Sequence, residues 1–375
     1  MNNRKDQRIT RLFSLEVEVL SRPNEEIRNH LSEMILGTPG KLQYRFLEVA
    51  GKLSWLKDCK FLILRKSGRV LGSICLIRRE SPVSSINCPL WYIRYFFIRA
   101  PLKPKNYKLR EKKRDTTTQL NFIWNSVAKY FEQPESLVNS SDLTTPSILY
   151  SYVQKSNVRA VNLNNAVGMN PIKKTKTYFF SRIRPVKHPC VRKFREEEKA
   201  QIIDLLRKFY RDYVLYSEQN LFYSGHYYVY VKDNEIIAGM QANPETWEFI
   251  NKQGFIGFIL LNVLPRIPVI SKYWKPKNFR FTAIEGLYCK DGYEDKLFDL
   301  MESVCAIHKT YFIFYWADPT SKIYNIINKP GIQGFISRFL TSEEIDLCAK
   351  FINWKKEDID DFIRRPAYIS CFDST

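Results

Sequence analysis

Residues 157–169 read NVRAVNLNNAVGM, and the build of the chain follows from this stretch. Asn157, Ala160 and Leu163 stand three residues apart, and Gly168-Met169 closes the run. An Asn at the head of such a run caps a helix with its side-chain oxygen, and a Gly at its end supplies the left-handed turn that stops it. Ala160 and Leu163 share one face, as a helix packed on a sheet requires. Residues 147–153 before the run and 177–183 after it are apolar and rich in aromatic or β-branched side chains, which predicts strands. The local unit is strand, helix, strand, within a mixed α/β layer.

Upstream, residues 61–65 and 70–78 flank Lys66-Ser67-Gly68-Arg69, a β-hairpin turning at Gly68. A strand is expected over 91–98 and then a linker with Pro101 and Pro104. A helix over 117–131 follows, with Leu120, Ile123, Trp124, Val127 and Phe131 on one face. Residues 157–166 are the short helix of the opening stretch. Downstream the order returns. Residues 191–194 suit a strand, and a helix follows that carries Ile202, Leu205, Leu206, Phe209, Tyr210 and Tyr213, with Glu196, Glu197 and Glu198 crowding its first turn. Residues 226–231 and 236–242 form a second hairpin. Strand 281–289, helix 295–307, strand 311–316 and helix 321–327 complete the second pass. Two passes of one order predict two tandem domains, 1–186 and 187–375, joined near Pro185–Pro189.

One stretch breaks the repeat. Residues 255–270, FIGFILLNVLPRIPVI, hold a single charge, Arg266, where a short connection would serve. The plain expectation is a buried insert. The sharper alternatives are a lid over an apolar substrate or a surface dipping into a membrane interface.

The 375 residues carry 59 Lys and Arg against 39 Asp and Glu, a net charge of +20, with 45% hydrophobic and 14% aromatic residues. Such a chain is not disordered, and its length favours two domains. The polar start at residues 1–10 argues against a secretory signal, and there is no apolar run of about 18 residues of the kind that spans a membrane. Eight scattered cysteines (59, 75, 88, 190, 289, 305, 348, 371) show no zinc spacing and read as buried thiols of a reducing compartment. Four histidines (30, 188, 226, 308) show no metal spacing either, so no metal is expected. A soluble, cytoplasmic protein, peripheral to a membrane at most, is the expectation.

Charge is one-sided. Residues 1–186 hold 33 basic and 14 acidic residues, a balance of +19, and residues 187–375 hold 26 and 25, a balance of +1. The first half therefore suits a phosphate-bearing donor, tRNA or an anionic membrane surface. Plain solubility is the bland alternative.

The spacing of Asn157, Ala160, Leu163, Gly168 and Met169 resembles the strand–helix–strand signature of the GNAT superfamily of N-acyltransferases. Asp318, Ser321 and Tyr324 repeat its first three positions more loosely, with Gly334-Phe335 four residues late. The resemblance covers roughly residues 44–369. It implies two tandem GNAT-like domains, each a mixed, mostly antiparallel sheet with flanking helices, and an acyl-CoA or acetyl-CoA donor. In that superfamily a glycine-rich loop after the fourth strand holds the CoA pyrophosphate on backbone amides. Here the corresponding first-half stretch, Arg99–Arg114, has no glycine but eight basic residues, Arg99 and Lys103 among them. Either side-chain charge replaces the amide cradle or this half has lost the donor site. Asn164 also stands where the family often carries a tyrosine acid, so the first half looks degenerate.

The second half keeps more of the pattern. The resemblance places a base at Glu285 on its fourth strand, a pyrophosphate loop at Lys290, Gly292 and Tyr293, and an acid at Tyr288 or Tyr324, with Asn157 assigned to cofactor binding in the first half. Acyl transfer to an amine needs a base for the ammonium proton and an acid for the departing thiolate, and burial among apolar neighbours raises a carboxyl pKa. The leading reading is transfer of an acyl group from acyl-CoA, or an acyl carrier, to an amine acceptor. The alternatives are an aminoacyl-tRNA-dependent transferase of the Fem or lysyl-lipid type and a non-catalytic GNAT scaffold.

Overall fold

The structure is a computed structural model that describes residues 8–12, 15–37, 40–82, 88–98, 127–138, 144–329, 333–334 and 344–374. The first half runs β1 (Arg8–Leu12), β2 (Leu15–Leu20), α1 (Glu25–Ser32), β3 (Gln43–Phe46), α2 (Val49–Trp55), β4 (Cys59–Lys66), β5 (Arg69–Arg79), β6 (Leu90–Ile98), α3 (127–132), β7 (Ser147–Gln154), α4 (Val158–Ala166) and β8 (Asn170–Ser181). The second begins with β9 (Val191–Lys193), α5 (Lys199–Phe209), β10 (Tyr227–Lys232), β11 (Glu235–Asn251), α6 (Gly254–Phe258) and β12 (Phe279–Cys289). It ends with α7 (Glu294–His308), β13 (Phe312–Ala317), α8 (Lys322–Ile327), β14 (Glu344–Ile352), α9 (Lys356–Arg364) and α10 (Cys371–Ser374).

Local chemistry fixes many of these boundaries. Ser67-Gly68 and Asp233-Asn234 all have positive φ, the geometry that two-residue hairpin turns need to follow strand twist. Asn157 Oδ1 accepts from the Ala160 amide at 3.2 Å, and Gly168, at φ +77°, ends the helix signal read in the sequence. In the second half the matching cap is Ser321, whose Oγ accepts from the Tyr324 amide at 3.2 Å. Ser321 is thus the counterpart of Asn157, and the alignment that began at Asp318 is shifted by three residues. Asp318 instead accepts from the Ala367 amide at 2.9 Å.

The strands form one sheet in the order β1-β2-β4-β5-β6-β7-β14-β8-β13-β12-β11-β10-β9, with β3 pairing β11 from the side. It is antiparallel except at β6/β7 and β12/β13, which pair in parallel over three and two residue pairs and then splay. The first half therefore has five antiparallel strands, β1-β2-β4-β5-β6, and the second four, β9-β10-β11-β12, each run followed by a parallel splay and a crossing helix, the repeated architecture expected of two tandem GNAT-like domains. The halves also exchange their last strands. β14 inserts between β7 and β8, and β8 pairs β13. Consequently Leu347, Ala349 and Phe362 pack in the first half's core, and Tyr178 and Phe180 in the second's.

Two expectations change. Residues 255–270 are not a buried insert: Phe255 is 77% exposed and Val269 74%. The element holds to the sheet through Trp274, stacked on Phe249 at 5.1 Å, which leaves its other apolar face outward. Of the helix expected over 117–131, residues 127–131 fall in α3 and the remainder lie outside the described residues, as does Arg99–Arg114 with Arg99 and Lys103.

Candidate active site

Both splayed strands carry the same defect. In β6, Ser73 and Cys75 of β5 face Phe97 and Arg94, so one extra residue bulges at Tyr95, φ +53°. In β12, Gly239 and Gln241 of β11 face Tyr288 and Glu285, with the extra residue beside Gly286, φ +54°. A bulge frees backbone groups from the ladder and re-aims side chains. In β12 the freed carbonyls are claimed by buried tyrosines: Tyr227 donates to Gly286 O at 3.0 Å and Tyr210 to Leu287 O at 2.8 Å. An ideal Cβ on Gly286 would lie 2.6 Å from Leu221 Cδ2, so close packing as well as φ calls for glycine there.

The C-terminal segment ties the two bulges together. Ser370 Oγ donates to Glu285 Oε2 at 2.5 Å, Arg94 Nη1 donates to Phe372 O at 2.7 Å, and Arg79 grips the Asp373 carboxylate with two bonds of 2.5 and 2.6 Å. Tyr92 adds a bond to Asp373 O at 3.2 Å. Beside this knot, Lys52 of α2 pairs with Glu245 at 2.7 Å, both buried. Burial lowers the Lys52 pKa, and Glu245 opposes that shift.

Among the described residues, Glu285 is the one carboxyl of this knot with no cation bonded to it. It is fully buried, and desolvation pushes its pKa to about 7, only partly held back by the Ser370 hydrogen bond. Its Oε1 has no hydrogen-bond partner among the described residues, and the same holds for Gln241 Oε1 and Asn243 Nδ2 on the adjoining strand. A buried carboxyl that titrates near neutrality, among unpaired polar groups, is a functional-site signature rather than a stabilising one.

The other expected residues lie around this knot or apart from it. Tyr288 stands across the bulge from Glu285, half-buried edge-on to Phe209, and burial raises its pKa. Tyr324 sits on α8, not on β12, packed at the margin of the second half's core. Asn157 spends its side-chain oxygen on the α4 cap. Asn164 is buried and donates to Ser151 Oγ at 3.0 Å.

The loop Lys290–Tyr293 does precede a helix N-terminus, with Gly292 at φ +84°. Yet the Gly292 amide already donates to Glu294 Oε1 at 3.2 Å, Lys290 pairs with Glu235 at 2.6 Å, and Asp291 pairs with Lys322 at 2.6 Å. A phosphate arriving there meets Asp291, Glu294 and Asp295, and like charge near a helix start cancels its pull on anions.

Sequence reasoning missed Ser370, Asp373, Arg79, Arg94 and the Lys52–Glu245 pair. Signals existed. Arg94 is the one charge in Leu90–Ile98, as Glu285 is the one acidic residue in Phe279–Cys289. Gln241, Asn243 and Glu245 alternate within an apolar strand, so they share one face.

No family model matches the sequence, and no curated protein sequence does either. By structure the chain is similar to N-myristoyltransferase of Saccharomyces cerevisiae with bound myristoyl-CoA, at a TM-score of 0.54 and 11% identity over 96% of this chain and 90% of that one. A second structure of that enzyme with bound myristoyl-CoA gives 0.53 and 12% over 95% and 85%. A GCN5-related N-acetyltransferase from Sphaerobacter thermophilus gives 0.41 and 10% over 78% and 80%. The shared feature is the fold, which over nearly the whole of this chain is that of N-myristoyltransferase.

Proposed function

We propose that this protein is an N-acyltransferase that moves an acyl group from acyl-CoA to an amine acceptor, with Glu285 as the proton acceptor. The observation that supports this best is Glu285 itself, a buried carboxyl poised near pH 7 beside the bulge of a splayed strand. In the reaction the ammonium gives up a proton, the amine nitrogen bonds to the thioester carbon, the C–S bond breaks, and the thiolate leaves and takes up a proton. A base with a pKa near the working pH is the most effective for the first step. Ser370, bonded to Glu285 and accepting from Asn220 Nδ2 at 3.1 Å, carries the proton to it.

The donor's phosphates belong with the first half. Its charge of +19 contrasts with +1, and the second half's loop is already matched with carboxylates. Residues 99–114, with Arg99 and Lys103 among their eight basic residues against Glu111, supply +7 of that charge. Fold likeness to an enzyme with bound myristoyl-CoA supports a long acyl chain over acetyl.

Thermal unfolding of the full chain with acetyl-, octanoyl- and myristoyl-CoA, free CoA and bulk tRNA tests the reading. A ligand at 100 times its Kd adds about 2.7 kcal/mol of stability. Stabilisation that grows with acyl length is expected, and stabilisation by tRNA alone, or by no donor, overturns the proposal. Replacing Lys112, Lys113 and Arg114 by Ser should weaken donor binding with little change in Tm.

A further inference from the structure

The connection between the third and fourth long strands differs between the halves. In the first half it spans residues 80–89; in the second it spans 252–278 and folds into a separate element. Two short helical stretches, Gly254–Arg266 and Ile270–Asn278, meet at 93°. Neither crosses a bilayer, since 13 helical residues reach about 20 Å against a hydrocarbon core of about 30 Å.

The element has two apolar faces. Trp274 turns inward on Phe249 and Phe279, Leu261 packs against the same core, and Trp274 Nε1 donates to Leu260 O at 2.6 Å. This inner face fixes the element on the sheet. The outer face presents Phe255, Ile256, Phe258, Val263, Ile267 and Val269, all exposed. They account for six of the thirteen large hydrophobic residues found exposed among the described residues, gathered within fifteen positions. An outward cluster of this kind marks a surface that meets another apolar phase.

Charge selects which phase. Between residues 251 and 278 stand Lys252, Arg266, Lys272, Lys275 and Lys277 and no acidic residue. Lys277 reaches Glu248 at 3.4 Å but stays largely exposed. A short apolar face rimmed by cations, lying flat because its helices are bent, fits the interface of an anionic bilayer. The apolar side chains enter the acyl boundary and the cations stay at headgroup level. We infer that residues 252–278 are an interfacial anchor that binds the surface of an anionic lipid membrane. This inference does not depend on the acyl-transfer reading.

Flotation of the full chain with vesicles of phosphatidylcholine alone, and of 70% phosphatidylcholine with 30% phosphatidylserine, tests it. The native protein should float with the anionic vesicles and much less with the neutral ones. The triple variant Phe255→Glu, Phe258→Glu, Val269→Glu should lower the bound fraction by about tenfold or more, and Lys272→Gln with Lys275→Gln by about threefold. Single variants Phe255→Glu and Val269→Glu, each with a smaller loss, keep the test open if the triple variant misfolds. The inference is overturned if the native chain does not bind anionic vesicles. It is also overturned if binding survives the triple variant, since the first half's charge then carries it. A native dimer that the apolar variants dissolve, without vesicle binding, makes the face a contact between copies and overturns it as well.

Discussion

In β6 the bulged residue sits beside Arg94; in β12, at the same register, it sits beside Glu285. The backbone device is identical and the chemistry is opposite. A guanidinium cannot shed its proton in a protein, so once buried it must be surrounded by acceptors. Arg94 has them in the Phe372 carbonyl and, at 3.9 Å, the Asp373 carboxylate. A carboxyl has another option, which is to take a proton and become neutral. Glu285 has a serine hydroxyl and, among the described residues, no bonded cation, and its pKa rises to about 7. The comparison teaches that the repeated fold supplies two equivalent positions, of which only the second can exchange a proton near neutrality. The first became an anchor for the C-terminal segment.

The largest effect should come from removing that asymmetry on the acidic side. Glu285→Gln is expected to lower acyl-transfer turnover by about 10²–10⁴-fold with the donor's binding constant nearly unchanged. Steady-state kinetics with the stabilising acyl-CoA checks this, and full activity in the variant would leave the two bulges chemically equivalent. On the basic side, Arg79→Met should cost about 3–5 kcal/mol, because it strands Asp373 as a buried charge. Urea unfolding measures that loss. A change below 1 kcal/mol would mean the C-terminal segment is not what joins the halves.

The same carboxyl gives a pH signature of smaller size. Glu285 binds its proton with a pKa of about 7 when folded, against an ordinary 4.5. Between these values the folded chain holds more protons than the unfolded one, so this group's contribution falls as pH rises. It is least unfavourable below pH 4.5, and its cost reaches about 3 kcal/mol above pH 7. Glu285→Gln should therefore raise stability at pH 8 by up to that amount and change it little at pH 4.5. Unfolding curves across this range test it, and a gain confined to acid pH would reverse the assignment.

Backbone substitutions sharpen the comparison further. Gly286→Ala should cost about 1–3 kcal/mol, from positive φ and the contact with Leu221. Tyr95 already tolerates the same φ, and its hydroxyl is buried with no hydrogen-bond partner among the described residues. Tyr95→Phe should be neutral or stabilising by about 1 kcal/mol. Thermal melts of the two variants should move in opposite directions or differ clearly in size.

Particular residues show how far the sequence could be read. The caps at Asn157 and the turns at Ser67-Gly68 and Asp233-Asn234 depend on hydrogen bonds and φ preferences within four residues, so they were legible. Glu285 was legible because one carboxylate in an apolar strand is unusual. Its closest partner, Ser370, lies 85 positions away and carries no local signal. For the apolar stretch at 255–270 the sequence leaves a buried insert, a lid and a surface element all open, because composition reports that a surface is apolar, not which side of it has a partner.

By itself the sequence determined most of the elements between residues 61 and 327, their repeated order, the one-sided charge and the strand that carries the candidate base. These follow from side-chain periodicity and short-range backbone chemistry, which act before any long-range contact forms. Tertiary structure alone decided the exchange of β8 and β14, the threading of Ser370–Asp373 between the bulges, and the outward face of the anchor. The first two depend on which strand edge or side chain finds which partner across more than 80 residues, and the third on which of two apolar faces meets the sheet. A strand's pattern says that it will pair and which face it buries. Only the closed sheet, with its register and competing edges, selects the neighbour.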